Sequence, residues 1–408
     1  MSAVLLTGAG IIGPSGCSPE EHWQSVLAGT SHIGRISTDH FDVSSYPSTL
    51  GASVDDGFEP TQLLSGRMRK QTDRSTQFAL VASDRALSAA ELVPDPAGDY
   101  SIGVATASTG GAVEFGQREL QNLWGKGKEY VSTYQSYAWF YAVNTGQISI
   151  RHSLKGPSCV LVADHAGGLD VFGKVKQMVA AGCRSVLIGG VDGPLCPWAW
   201  SPLIASGQLT VSSDPATAYQ PFTHGATGSV LGEGGAILVA ETEQSWRERG
   251  GPTPLGELAG TASGFAVDPL SPTAYAATIA LSLERAGLSA EDIDAVVADA
   301  AGTVDLDASE RDALQIVFAG AKQVPPVTAP KAGFGRLLAG AGAVDVLTAC
   351  QMIAENVIPP TPFASEVIDG LPLAREAIST RVDAVLVLGR SAQGFLSSAV
   401  VTRPRLTT

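Results

Sequence analysis

Short apolar runs that end in glycine alternate along this chain with longer amphipathic stretches, and that alternation limits the fold more than any other feature. Val4–Gly8, Ile102–Ala107, Ser185–Ile188, Gly235–Ala240, Ala295–Ala298 and Ala384–Leu388 are apolar at most alternating positions on both sides, the pattern of strands buried on both faces. Between them Arg74–Ala90, Leu169–Ala181, Pro272–Ala286 and Ala343–Ala354 read as helices. Ser18-Pro19-Glu20-Glu21 is a helix start, with Ser at the N-cap, Pro at the first helical position and Glu closing a capping box. That helix is predicted to run to Gly29, a suitable residue just past a helix end. Strand–helix alternation of this kind predicts an α/β fold with largely parallel sheets. The breaker-rich segment Arg247–Pro254 divides the chain into a half at 1–250 and a half at 251–408.

Composition narrows the function. With 408 residues, 44% of them apolar and 16% charged, the chain can bury a large core. Its net charge of −14 argues against nucleic acid or an anionic membrane as a partner, and against this chain being the main dock for an acidic carrier protein. No apolar run is long enough to span a bilayer, and Met1–Val4 has no basic region of a secretory leader, so a cytoplasmic location is expected. Cys17, Cys159, Cys183, Cys196 and Cys350 are scattered without paired spacing, which predicts neither disulfides nor a zinc site. Cys159 reads as a small residue packed in a strand. His22, His32, His40, His152 and His224 have no ligand spacing, and neither metal nor cofactor is expected.

Gly8-Ala9-Gly10-Ile11-Ile12-Gly13 fits the G-x-G-x-x-G dinucleotide pattern directly after a strand. A dinucleotide site needs its third glycine inside the first helix, so that the pyrophosphate sits on the helix N-terminus. Here Pro14 follows at once and the helix signals begin only at Ser18. Asp39 and Asp42 lie in a polar loop and make poor ribose ligands. A nicotinamide-dependent oxidoreductase is therefore a weak reading, which absence of cofactor binding would dispose of.

Three later segments are more specific. Gly156-Pro157-Ser158-Cys159-Val160-Leu161-Val162-Ala163-Asp164-His165-Ala166-Gly167-Gly168-Leu169-Asp170 reads as strand, tight turn and helix start. Ala298-Asp299-Ala300-Ala301-Gly302-Thr303 precedes Asp307, Glu310 and Leu314. Lys331-Ala332-Gly333-Phe334-Gly335-Arg336-Leu337-Leu338-Ala339-Gly340-Ala341-Gly342 follows. Together they resemble the nucleophile turn, the His-Gly-Thr-x-Thr loop and the Lys-Ser-x-x-Gly-His motif of ketosynthases in the thiolase superfamily. The register puts His165 where that family has its cysteine, Asp299 where it has its first histidine and Arg336 where it has its second; Lys331 is kept. Such a threefold replacement within an intact frame is similar to the chain length factors, the ketosynthase beta subunits of type II polyketide synthases. Tyr134–His152, Pro221-Phe222, Gly232–Ala236 and Ile358–Thr361 also resemble that family, so the likeness covers nearly the whole chain. The family usually has glutamine at the His165 position, a residue associated with decarboxylative priming. Histidine would make any chemistry there depend on pH.

The resemblance implies a thiolase-like fold, two similar halves stacked in five αβαβα layers. It implies a catalytically silent subunit paired with an active ketosynthase alpha subunit as a heterodimer, with the acyl carrier protein served mainly by that partner. Tyr137, Trp139, Phe140 and Tyr141, and a following strand to Arg151, would lie at the interface. Val113, Gly116 and Leu120, on the helix after Gly110-Gly111, would set the depth of the tunnel for the growing chain. Shorter-chain members tend to be aromatic at the first and last of these positions. The smaller residues here imply a longer product, a decaketide or beyond. One rival is a self-sufficient condensing enzyme or acyltransferase that uses His165, which would be labelled by an acyl donor without a partner. Another is a chain length factor for a reduced polyene rather than an aromatic product.

Overall fold

The computed structural model describes residues 3–54, 57–363 and 366–406. The first half contributes β1 (Val4–Ile12), α1 (Pro19–Leu27), α2 (Arg74–Ala89), β2 (Ile102–Ala107), α3 (Val113–Gly125), α4 (Val143–Arg151), β3 (Ser158–Leu161), α5 (Asp164–Asp170), β4 (Ser185–Asp192), α6 (Pro197–Ala205) and β5 (Gly234–Thr242). The second contributes β6 (Gly256–Phe265), α7 (Pro272–Ala286), β7 (Ala295–Val297), α8 (Val304–Val317), β8 (Val327–Thr328), α9 (Gly340–Glu355), β9 (Ala384–Arg390) and β10 (Phe395–Thr402).

Strands of the first half are ordered β3-β2-β4-β5-β1, and those of the second β8-β7-β9-β10-β6. Adding five to each label of the first order produces the second. Pairing repeats as well: β2 is parallel to β3 and β4, β7 is parallel to β8 and β9, and the other neighbours within each half are antiparallel. The halves meet where β1 and β6 pair, Leu5 opposite Glu257 and Leu6 opposite Gly256. Helices α5 and α9 lie between the two sets of strands, α2 covers the first set from outside, and α7 with α8 covers the second. This is the five-layered thiolase-like architecture, and it sandwiches α5 and α9 so that both are largely buried.

Glycines set the closest approaches. A Cβ on Gly8 would lie 2.4 Å from the Ala86 carbonyl oxygen, and one on Gly10 would lie 2.1 Å from that of Ala82. The N-terminal glycines thus let α2 rest on β1, and no helix follows them until Pro19. At the centre, a Cβ on Gly168 would lie 2.0 Å from the Ala339 carbonyl oxygen, so α5 and the start of α9 touch through backbone.

Four expectations need correction. The sheet is mixed rather than largely parallel, with four parallel pairings and five antiparallel ones among the described residues. The stretch to Arg151 is helix α4, not a strand. Its Val143, Thr145, Ile148 and Ile150 favour strands as residue types, but Asn144, Thr145 and Ile148 are buried at helical spacing and hold it in place. Asn144 Oδ1 accepts the Thr76 hydroxyl of α2 at 2.8 Å. Leu169–Ala181 is not one helix: α5 starts earlier at Asp164, a 3₁₀ turn spans Val171–Gly173, and helix resumes over Lys174–Ala180. Arg247–Arg249 belong to the helix Glu243–Arg249, and the break comes at Gly250, where φ is 64°.

Candidate functional site

Edge strand β3 ends at Leu161, and the chain turns sharply into α5 through Asp164, whose φ is 50°. That turn buries His165 against the central layer, 6% exposed. Burial, aided by the Arg336 charge, lowers the His165 pKa to about 4, so the ring is neutral near pH 7. Its Nδ1 is buried without a hydrogen bond, as is Oδ2 of Asp164. Nε2 stands 4.0 Å from Asp164 Oδ1, too far to bond.

Asp299 follows β7 and Arg336 precedes α9, and the fold brings them face to face. Nη1 donates to Oδ2 at 2.9 Å and Nη2 to Oδ1 at 3.0 Å, a bidentate pair with both residues buried. Arg336 Nη1 also donates to the Asp299 carbonyl at 3.1 Å, and Asp299 Oδ1 accepts the Arg390 backbone N–H at 2.9 Å. Burial alone would raise the Asp299 pKa; the Arg336 and then the Lys331 charge outweigh it and hold the carboxyl below its usual range. Lys331 donates to Asp345 at 2.6 Å and to the Ala298 carbonyl at 2.8 Å.

Two further carboxylates brace this loop. Glu310 accepts the backbone N–H groups of Asp299 and Ala300 at 2.8 and 3.1 Å. Asp307 accepts those of Phe222 and Gly302 at 2.8 and 3.0 Å. Burial raises each to about 7. Arg390, which sequence reasoning missed, is buried beneath the loop; its guanidinium lies 5.2 Å from the Tyr275 ring centre and donates to the carbonyls of Leu306 and Pro269. A lone arginine closing the apolar run of β9 was the available signal.

Cys159 lies half-buried on β3, away from the turn, and burial raises its thiol pKa. No group of three or more ligand side chains suited to a metal occurs among the described residues.

Val113, Gly116 and Leu120 fall at i, i+3 and i+7 of α3, on one face. Gly116 is not open space: a Cβ there would lie 2.8 Å from Trp198 Cζ3 and 3.1 Å from Ala138 Cβ. Trp198, on α6, is a second residue the sequence reading missed. Its backbone N–H donates to Gln117 Oε1 at 2.7 Å, and its ring meets Trp139 edge-on at 5.9 Å. Trp139 (59% exposed), Phe140 (61%) and Tyr141 (46%) form an exposed aromatic surface, whereas Tyr137 packs against Phe115 and Val143. Ile150 on α4 and Val162 after β3 are exposed as well. Arg151 pairs within the chain, with Asp84 at 2.7 and 2.5 Å.

Residues 1–245 match the profile of the beta-ketoacyl synthase N-terminal domain, and residues 259–364 that of the beta-ketoacyl synthase C-terminal domain. Over 406 residues the chain is 47% identical to the tetracenomycin polyketide synthase ketoacyl synthase beta subunit of Streptomyces glaucescens, covering 98% of each. This chain belongs to the chain length factor family. A beta-ketoacyl synthase 2 of the actinorhodin polyketide in Streptomyces coelicolor is 45% identical, again over 98% of both. The ishigamide ketosynthase/chain length factor has the same fold, with a TM-score of 0.90, 24% identity and 99% of each chain covered.

The depressed His165 pKa sets a testable pH dependence. The ordinary value near 6.5 applies to the unfolded chain, so between pH 6.5 and about 4 the unfolded state binds the extra proton. Stability from the neutral ring is therefore present above pH 6.5 and is lost as pH falls toward 4, on the order of 3 kcal/mol in all. His165→Gln removes that contribution. The stability of wild type relative to the variant, read from urea unfolding at pH 7 and pH 4.5, should fall in acid; a constant difference would contradict the assignment.

Proposed function

We propose that this chain is the non-catalytic subunit of a type II ketosynthase heterodimer and that it shapes the tunnel holding the growing poly-β-ketone. The observation that carries this reading is the buried Asp299–Arg336 pair. Condensation needs a thiolate to carry the acyl chain and neutral imidazoles to stabilise the enolate and oxyanion. An ionised Asp299 cannot donate a hydrogen bond to an oxyanion, and each of its oxygens is already engaged. Arg336 is too basic to exchange a proton and is occupied by its partner. His165 lacks a thiol, and an acyl-imidazole hydrolyses readily.

The unpaired edge of β3, flanked by Val162, Ile150 and the aromatic surface, favours an active ketosynthase seated there. A ketosynthase shares the thiolase-like architecture, so the pair would be pseudo-symmetric. The net charge of −14 favours delivery of the acidic carrier protein to the partner rather than to this chain.

Val113 and Leu120 are smaller than aromatic side chains, which supports a tunnel deep enough for a chain longer than an octaketide, a decaketide or beyond, while Trp198 packs over Gly116. Co-expression with the ketosynthase, co-purification, and product analysis by mass spectrometry test the reading. A one-to-one complex is expected. Trp198→Ala should shift the products toward longer chains, and Val113→Phe with Leu120→Phe toward shorter ones. A product length unmoved by either change would remove these residues from the tunnel, and a chain that is acylated alone would overturn the non-catalytic role.

A further inference from the structure

The first turn of α3 is held by carboxylates that do not belong to it. Ala112, the residue just before Val113, gives the helix no side-chain cap, so the N–H groups of that turn need partners from outside. Asp73, just before α2, accepts the Phe115 N–H at 2.8 Å. Asp192, the last residue of β4, is buried and reaches the loop between β2 and α3. Its Oδ1 accepts the Ser108 hydroxyl at 3.1 Å, and its Oδ2 accepts the Thr109 N–H and the Ala339 N–H, each at 3.0 Å. Ser108 Oγ in turn accepts the Gly111 N–H at 3.0 Å. The loop packs directly against Val113: a Cβ on Gly110 would lie 2.9 Å from Val113 Cγ1. Burial raises the Asp192 pKa to about 6, so near pH 7 the group is a carboxylate, which only accepts. One buried side chain thus ties together the end of β4, the entry to α3 and the approach to α9, the segment that carries Arg336.

We propose that Asp192 is a positioning residue for chain-length control: it fixes the loop from Ser108 to Gly111, through it the place of Val113, and so narrows the product to a single length. The inference rests on reading α3 as a wall of the tunnel. A side chain that sets tunnel depth selects one length only while it stays in one place, and hydrogen bonds from a buried supporting group hold it there. Without the carboxylate the Thr109 N–H and the Ser108 hydroxyl lose their acceptor. A loop that shifts to recover one carries Val113 with it.

The test is reconstitution of the ketosynthase complex with carrier protein and malonyl donor, with product length read by mass spectrometry and total yield read separately. Asp192→Ala should lower the yield and add products a ketide unit shorter and a ketide unit longer beside the dominant one. Asp192→Asn should keep the narrow distribution, because its amide oxygen can stand at Oδ2 and accept both backbone N–H groups. A merely structural role would lower the yield of Asp192→Ala and leave its product length alone. Should Asp192→Ala give no complex, Ser108→Ala decides: it cuts the bond to Gly111 while leaving Ala339 tied, and it should broaden the products too. An unchanged single product from Asp192→Ala, or from Ser108→Ala where only that variant assembles, would overturn the proposal, as would broadening that persists in Asp192→Asn. Val113→Phe with Leu120→Phe is run in parallel. Products shortened there but not broadened by the loop variants confine the failure to Asp192, whereas products unmoved by every variant remove α3 from the tunnel as well.

Discussion

Replacing Arg336 with methionine lowers the unfolding free energy by about 3–5 kcal/mol, because it leaves the Asp299 carboxylate buried without its cation. The backbone N–H of Arg390 still bonds to Asp299 Oδ1, but one neutral donor does not replace a bidentate guanidinium. Buried charge then costs more than its remaining hydrogen bonds return, and the carboxyl moves toward protonation. The double variant Arg336→Met with Asp299→Asn should recover most of the loss, since the amide oxygen keeps the bond from Arg390 without bringing a charge. The pH dependence has a definite sign. Asp299 is held below its unfolded value, so the stability it contributes is present above the ordinary carboxylate pKa and is lost as pH falls through the lower folded value. Asp307 and Glu310 act oppositely: each is raised to about 7, so each favours the folded state in acid and loses that contribution as pH rises from about 4 to about 7. Denaturant midpoints of single and double variants at pH 7 measure the coupling. Additive losses would mean that the pair does not act as a unit.

The second large effect lies at the exposed aromatic surface. Trp139→Ala combined with Phe140→Ala should weaken the ketosynthase complex by about a thousandfold, taking about 2 kcal/mol for each buried aromatic anchor. Val162→Asp, beside the edge of β3, should have a comparable effect by setting an unpaired charge into the contact. Size-exclusion chromatography of the co-expressed pair reads both. Each of these side chains is solvent-exposed in the isolated chain, so the fold itself should be spared. A variant that still co-elutes one-to-one at nanomolar concentration would move the interface elsewhere.

Much of this fold is legible in the sequence, for a physical reason. The strands are buried on both faces, so they read as continuous apolar runs, and the helices that cover them carry long amphipathic patterns. Serine, proline and glutamate at the start of α1 mark its first turn where the structure has it. In the sequence Asp299 and Arg336 stand only as replaced positions in two separate motifs; 37 residues separate them, and the fold alone brings them to 2.9 Å. Residues set by long-range packing are harder to see. Trp198 lies over Gly116 because α6 crosses α3, and nothing local to either segment encodes that contact. Arg390 reads as the end of a strand, whereas its role depends on Tyr275, on the first turn of α8 and on the Pro269 carbonyl before α7. Helix α4 is nine residues long and rich in β-branched side chains, so its local preference misleads, and tertiary contacts through Asn144 and Ile148 decide it.

The most direct test of the central claim is a minimal reconstitution of the ketosynthase complex with carrier protein and malonyl donor, followed by mass spectrometry of the products. Three versions are compared: the unaltered complex, His165→Ala in this chain, and alanine in place of the partner's nucleophilic cysteine. The account predicts that His165→Ala makes the same polyketide at an undiminished rate, while loss of the partner's cysteine abolishes it. Product formation that survives loss of the partner's cysteine but disappears with His165→Ala would contradict the account and place the condensing chemistry in this chain.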